Sequence, residues 1–452
     1  MSAAPGRLSP QRRHLALVHP SEPAVGLVAA GAGWALPAFD APASWASEVP
    51  VDTAGRGSEH ALLACLAEAD EPGAAASARR HRLLLAESLP GAAQPTRWWR
   101  WGDDPPEGLP EPLLPALHDA VTRLDGAPTA APAWAPFAQR GATAALDAAL
   151  SADPIARGLA ALRPDHPRAL RQRRCWPLSS VWSNAEVFLK VVPPRWASEG
   201  PVAAWLASLA PDRVARVVAH GQVAVPGGLL AWNLQAAVAS GAFAGDAVLR
   251  SAAAIGDLVR RVAPDLAAGV PLGLADRHPA AVAAGLREVW ASPELDALTE
   301  SERAALPELD ARWRRRLDAL ERAGLPPVLV HGDLHPGNVL PGPSGRGGDT
   351  VIDWTDAAVG WPGVDLLTLI GFGAPLGDAA AEQAIAAYAD AAGEALGPLG
   401  AAGVRLGLAA APAFHALAYA RIEADTPLAQ RWQIEGEVRV LVRRMLRDEG
   451  LA

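Results

Sequence analysis

Two neighbouring segments restrict the fold of this chain more than any other part of it. They are VLVHGDLHPGNVL (328–340) and TVIDWTDAAVGWPGVDLL (350–367). Between Asn338 and Asp353 lies VLPGPSGRGGDTVI, which reads as two short apolar strands joined by a Gly/Pro/Ser turn. A hairpin there sets Asn338 and Asp353 side by side at its open end. One neutral and one charged oxygen ligand then stand together, a donor set suited to a hard cation that bridges phosphates. Asp333, a few residues earlier, supplies a carboxylate that can position a hydroxyl and accept its proton.

His331, Asp333, Leu334 and Asn338 have the spacing of the kinase catalytic loop, His-x-Asp-Leu-x-x-x-Asn. Together with the IDW that follows, they resemble the aminoglycoside phosphotransferase and choline kinase-like family of the protein-kinase-like superfamily. The resemblance implies ATP-dependent phosphorylation of a small-molecule hydroxyl, with Asp333 as base and with Asn338 and Asp353 as Mg²⁺ ligands. Asp353 corresponds to the aspartate that heads the kinase Asp-Phe-Gly motif, although the tripeptide here is Asp353-Trp354-Thr355. Asp365, in GWPGVDLL, matches a family aspartate that braces the catalytic loop. His331 reads as a packing residue of that loop, and His335, next to Pro336, as structural.

The resemblance extends upstream through RCWPLSSVWSNAEVFLKVVPPRWASEGPVAAWLA. Lys190 lies on the apolar strand EVFLKVV, where a kinase fold holds the lysine of the α- and β-phosphates. Of 40 basic residues 39 are Arg, so the single Lys marks a place where a compact ammonium is wanted and a forked guanidinium is not. Glu199 is the only acidic residue between Lys190 and Asp212 and is the default ion-pair partner. No Gly-rich loop precedes them, and PLSSVWSN offers Ser179 and Ser180 with backbone amides to a phosphate.

The expected fold class is α+β: a two-lobed kinase-like fold, with a β-rich nucleotide lobe and a helical lobe, preceded by a small mixed α/β domain. Residues 1–125 read as that domain, 126–167 as linker and helix, 168–235 as the nucleotide lobe and 236–452 as the catalytic and substrate lobe. In the first segment HLALVH and VGLVAA are strand-like, EHALLACLAEA has helical spacing, and RRHRLLLAESL is a further apolar element. VGLVAAGAGWALPAF is faintly similar to a Nudix domain, but no clustered-Glu box follows. GAPTAAPAWAP reads as a linker, leading into a helix over 137–151. In the nucleotide lobe LRQRRCWP, VWSNAEVFLKVV, RVARVVAHG and LLAWNL read as strands, with a helix between the second and third whose stripe is Val202, Trp205, Leu206 and Leu209. Gly324 and Pro326-Pro327 end the helix of ESERAALPELDARWRRRLDALERA.

A net charge of −9 without any long basic run argues against a nucleic-acid partner. Only Cys65 and Cys175 are present, so no disulfide framework is expected, and the first twenty residues hold no apolar stretch of signal-peptide length. The expectation is a cytoplasmic enzyme with ATP and Mg²⁺ as cofactors, a small-molecule hydroxyl acceptor and no membrane partner. His415, Tyr419 and Glu423, four residues apart, share a helix face and are candidates for a substrate pocket. Two rival classes are a nucleotide-binding pseudokinase, disfavoured by intact catalytic-type residues, and a metallophosphoesterase, whose further metal motifs are missing.

Overall fold

A computed structural model describes residues 11–18, 24–30, 33–36, 38–41, 60–70, 80–89, 95, 97–100, 102–125, 141–176, 178–225, 228–243, 246–342, 348–371, 379–426, 431 and 434–451. The N-terminal part is a sheet of seven strands: β1 (Gln11–Val18), β2 (Ala24–Ala30), β3 (Gly33–Ala35), β4 (Ala38–Ala41), β5 (His60–Asp70), β6 (Arg80–Ser88) and β7 (Arg97–Arg100). Alternation sorts its two faces. Ala16, Leu83 and Leu85 meet Leu117 and Val121 of helix α1 (Leu114–Asp125), whereas Leu15, Leu17, Leu84 and Ala86 pack on Cys175 of the next unit.

In the stretch read as helical, EHALLACLAEA, the residues from His60 onward belong to β5. Its Ala/Leu spacing also fits a helix, but pairing with β6 from His60↔Ser88 to Asp70↔Arg80 overrides that spacing, with two register shifts along the ladder. The expected linker GAPTAAPAWAP lies outside the described residues. The helix after it, α2 (Ala142–Ala152), starts on Gly141, which has φ +81° and no side chain to cap the free amides. Glu87 of β6 does so instead, accepting from Gly141 N at 2.9 Å and Thr143 N at 2.7 Å.

A five-stranded antiparallel sheet follows, in the order β11-β12-β10-β9-β8. Its members are β8 (Arg171–Trp176), β9 (Ser179–Ser183), β10 (Val187–Val192), β11 (Val217–Val225) and β12 (Gly228–Ala236), with α3 (Glu199–Leu209) between β10 and β11. VWSNAEVFLKVV thus forms two strands and not one. Asn184 makes the turn, its Oδ1 accepting from the amides of Glu186 and Val187. Gly200 lets α3 lie against β11, since a Cβ there would come within 2.7 Å of His220 Cβ. Val202 and Leu206 are buried as the stripe requires.

The remainder is mostly helical. It contains α4 (Ala247–Val262), α5 (Leu266–Gly269), α6 (Pro279–Trp290), α7 (Glu300–Arg322), α8 (Val364–Ile370), α9 (Ala379–Ala392), α10 (Gly400–Asp425) and α11 (Glu437–Asp448). Short strands β13 (Ala275–Asp276), β14 (Val328–Val330) and β17 (Ala358–Gly360) form one sheet, and β15 (Val339–Leu340) with β16 (Thr350–Val351) forms a hairpin. Helix α7 is closed by Gly324 at φ +66°. Among the described residues one helical run, Ala379–Asp425, is long and apolar enough to cross a membrane. It is broken at Gly397 by non-helical backbone, and 72% of its apolar window is buried inside the fold.

Candidate active site

The expected hairpin forms, with Val339 opposite Val351 and Leu340 opposite Thr350. Ile352 N donates to Asn338 O at 3.0 Å, which closes the open end and brings Asn338 beside Asp353. Asp349, in the hairpin, is gripped by Arg250 of α4, and Val351 N donates to Arg213 O at 2.7 Å. The two segments are therefore fixed from both sides before any ligand is considered.

Asp333 stands in the loop after β14. Asp365, in the first turn of α8, accepts from His331 N at 2.9 Å and Gly332 N at 2.8 Å, so both its oxygens hold this loop. His331 is fully buried. Its Nε2 donates to Ile352 O at 2.9 Å and its Nδ1 accepts from Asp333 N at 3.3 Å, which fixes one tautomer and ties loop to hairpin. Burial holds the His331 pKa down at about 4, so the ring stays neutral. His335 accepts from Gly337 N at 3.0 Å, a bond within the local turn. Asn338 Nδ2 donates to Asp333 O at 2.9 Å, leaving the amide oxygen as the group that can turn to a cation.

Lys190 of β10 reaches across to this loop. Its ammonium donates to Glu199 Oε1 at 2.9 Å, Asp353 Oδ1 at 2.5 Å and Thr355 Oγ1 at 3.1 Å. Burial alone would lower the pKa of this ammonium, but Asp353 and Glu199 more than reverse that. Glu199 is 1% exposed and its Oε2 has no partner among the described residues. Burial pushes its carboxyl up to about 7 against the pull of Lys190. Burial would also raise Asp353, yet Lys190 and the Thr355 hydroxyl hold it well below the usual carboxylate range. Asp353 has φ +67°, the one positive value outside glycine among the described residues. Such backbone persists only where its surroundings over-determine it, and it clusters at functional sites.

A cavity of about 210 Å³ opens between the β-sheet and the helices. Lys190, Asp333 and Asp353 line it, together with Ser179 and with His415 and Tyr419 of α10. Burial raises the Asp333 carboxyl to about 7, and Asp356 and then Asp353 add to that. Ser180 does not reach the cavity. Its Oγ accepts from Trp182 Nε1 at 2.9 Å and Gln172 Nε2 at 3.0 Å inside the sheet, because β9 alternates its side chains. Glu423 does not join His415 and Tyr419 either. Four-residue steps overshoot a 3.6-residue turn, so the face drifts by about 40° per step, and Glu423 is buried against Ser292 Oγ at 2.5 Å.

Several lining residues escaped the sequence reading. Asp356 lies three positions past Asp353 in the same motif, and its signal was present but unread. Trp196 and Ile422 share one buried apolar cluster with Val192 of β10 and Ala231 of β12, and Glu437 of α11 also lines the cavity. Their proximity is tertiary, and no spacing announces it.

Asn338 and Asp353 supply hard oxygens, the chemistry that suits Mg²⁺. Among the described residues no group of three or more His, Cys, Asp or Glu could hold a metal ion alone. A cation here would complete its shell with phosphate and water oxygens, as Mg²⁺ does.

A sheet bearing Lys190, a helix bearing Glu199 and a loop-hairpin bearing Asp333, Asn338 and Asp353 define a protein-kinase-like arrangement. A family model described as the phosphotransferase enzyme family matches residues 180–399, and the resemblance read from the two motifs is thereby borne out. All of those residues fall within the matched span. Among solved structures, the GDP and kanamycin complex of APH(2")-IIia is 15% identical, covering 64% of this chain and 95% of that one with a TM-score of 0.45. A choline/ethanolamine kinase family protein from Mesorhizobium loti is 17% identical, covering 68% and 94% with a TM-score of 0.43. The macrolide 2'-phosphotransferase of Brachybacterium faecium is 22% identical, covering 61% and 93% with a TM-score of 0.37. No curated protein matches the chain.

Proposed function

We propose that this chain is a small-molecule kinase, transferring the γ-phosphate of ATP to an alcohol in a Mg²⁺-dependent reaction. The observation that carries the reading is the cavity itself. It is lined both by Asp333, whose carboxylate accepts no hydrogen bond from the described residues, and by Lys190 and Asp353 of the ammonium cluster. In this reading residues 168–235 hold the nucleotide, residues 236–452 hold the acceptor, and the enzyme works in the cytoplasm.

Asp333 orients the acceptor hydroxyl and takes its proton, and a carboxyl raised to about 7 is matched to that task near neutral pH. Lys190, braced by Glu199, sets a fixed positive charge for the phosphates. Asn338 and Asp353 would hold Mg²⁺, which when bound neutralises charge on the transferring phosphoryl group. Asp365 and His331 keep Asp333 in place through the backbone of its loop. Catalysis is then positioning and preset electrostatics.

The test is acceptor-dependent release of ADP from Mg-ATP across a panel of hydroxylated metabolites and antibiotics. Asp333→Asn should keep the fold and ATP binding while turnover falls by about 10²–10⁴, the scale of general-base loss. Near-normal turnover in that variant would remove Asp333 from the mechanism.

A further inference from the structure

Asp356 was not among the residues the motifs single out, yet it lines the cavity together with Asp333. The two segments approach as closely as backbones allow. A Cβ on Gly332, which has φ +88°, would lie 2.5 Å from Asp356 O and 2.8 Å from Asp356 Cβ. Only glycine permits both the conformation and the contact. Asp356 is half-buried, and among the described residues nothing hydrogen-bonds its carboxylate.

Arg277, whose backbone N donates to Val359 O at 2.9 Å in the strand that follows Asp356, is only 6% exposed and has its guanidinium 4.8 Å from the centre of the Phe414 ring. Its Nε and Nη1 are buried and have no hydrogen-bond partner among the described residues. The strongest charge acting on it is that of Asp356, and Arg277 is in turn the strongest charge opposing the effect of burial on Asp356. A buried cation with idle donors is costly for stability. It offsets part of the effect of burial, which still leaves the Asp356 carboxyl raised above its ordinary value.

We propose that Asp356 is a second acceptor-binding carboxylate, with Arg277 as its buried counter-charge, and that it takes a hydrogen bond from a donor group next to the reacting hydroxyl. This rests on the phosphotransferase reading above. The wall around Asp333 also carries Glu437, whose Oε2 is buried and unpartnered among the described residues. Carboxylates only accept, so the matching group on the acceptor is a donor, either an ammonium or a second hydroxyl. Arg277 acts through Asp356 and is a positioning residue.

The test uses the full chain with Mg-ATP, taking kanamycin and streptomycin as amine-bearing alcohols and sorbitol and ribose as neutral polyols. For the amine-bearing probes Asp356→Asn should raise the acceptor KM by about 10- to 100-fold, the scale of a lost charged hydrogen bond. Its KM for ATP should stay near that of the wild type, while the acid limb of kcat should move to lower pH because Asp333 loses the neighbouring charge that helps to raise it. A neutral polyol should shift much less, because the amide oxygen still accepts from a hydroxyl. Arg277→Met should move the acceptor KM in the same direction and Arg277→Lys should restore it, which a packing role would not produce. The proposal fails if Asp356→Asn leaves every acceptor KM unchanged. It fails also if that variant lowers kcat and raises the KM for ATP alike with all probes, or if Asp356→Glu does no better than Asp356→Asn. If no probe stimulates ADP release by the wild type, the phosphotransferase reading itself falls and this one with it.

Discussion

Lys190 Nζ lies 2.5 Å from Asp353 Oδ1, although 163 positions separate the two residues. One ammonium thus joins the β-sheet to the hairpin and neutralises the carboxylate that would ligate a cation. In the proposed reaction a nucleotide phosphate and Asp353 would share it. This is the only Lys in the chain, which makes the contact easy to test. A lysine-reactive acyl-phosphate analogue of ATP should acylate Lys190 alone, and excess Mg-ATP should block the reaction. Lys190→Arg should lose most activity although charge is kept, because three acceptors within 3.1 Å suit a compact ammonium and not a planar fork. Labelling indifferent to ATP, with an active arginine variant, would place the nucleotide elsewhere.

The two cation-ligand candidates should not be equal. Asp353 carries the charge, whereas Asn338 is neutral and already spends its amide nitrogen on Asp333 O. Asp353→Asn should therefore weaken Mg²⁺-dependent nucleotide binding more than Asn338→Ala does. Asparagine also tolerates the φ of +67° at this position, which keeps the comparison free of added backbone strain. Titrating Mg²⁺ against each variant at fixed nucleotide reads the order directly. Equal or reversed effects would contradict the assigned roles.

Glu87 offers a test of how the N-terminal sheet is joined to the rest. Its carboxylate accepts from Gly141 N, Thr143 N and the Thr143 hydroxyl, standing in for the cap that α2 lacks. Glu87→Ala should cost about 1–3 kcal/mol, the range for orphaned buried donors and a lost cap. The midpoint of chemical denaturation measures it. An unchanged midpoint would mean that water or another group caps α2 equally well.

The site was legible because its residues are compressed into two short motifs. The spacing from His331 to Asn338 and the apolar strands around the turn fix the loop and hairpin locally, and a lone Lys in an Arg-rich chain marked its own position. What was missed depends on tertiary approach. Asp356 gains meaning from Gly332 lying against it and from Arg277, which comes from a distant segment. Ser180 points inward because of strand parity, which the split of one apolar run into β9 and β10 decides. Glu423 leaves the pocket face by helical drift, and β5 is a strand because β6 is there to pair with it. Ala/Leu runs do not announce their state when two elements compete for them.

His415 carries a prediction about pH whose sign can be worked out. It is buried in α10, with Nε2 placed 3.3 Å from Val364 O, and burial lowers its pKa to about 4. In the unfolded chain a histidine titrates near its ordinary value of about 6.5. Between those values the unfolded state binds the extra proton and the folded state does not. The stability associated with the neutral ring is therefore complete above about pH 6.5 and is lost as pH falls toward 4. The raw pH profile will not isolate this effect. Asp333 and Glu199, raised to about 7, and Asp365, raised to about 6, take up protons in the folded state first and act with the opposite sign in the same window. A difference against His415→Gln removes them, since glutamine can still donate to Val364 O but cannot titrate. Denaturation of both proteins from pH 7.5 to 4.5 should show the wild type losing ground to the variant below pH 6.5, by about 1.4 kcal/mol for each pH unit. Parallel curves would mean that His415 titrates in the fold as it does in the unfolded chain, so that its ring is not held neutral.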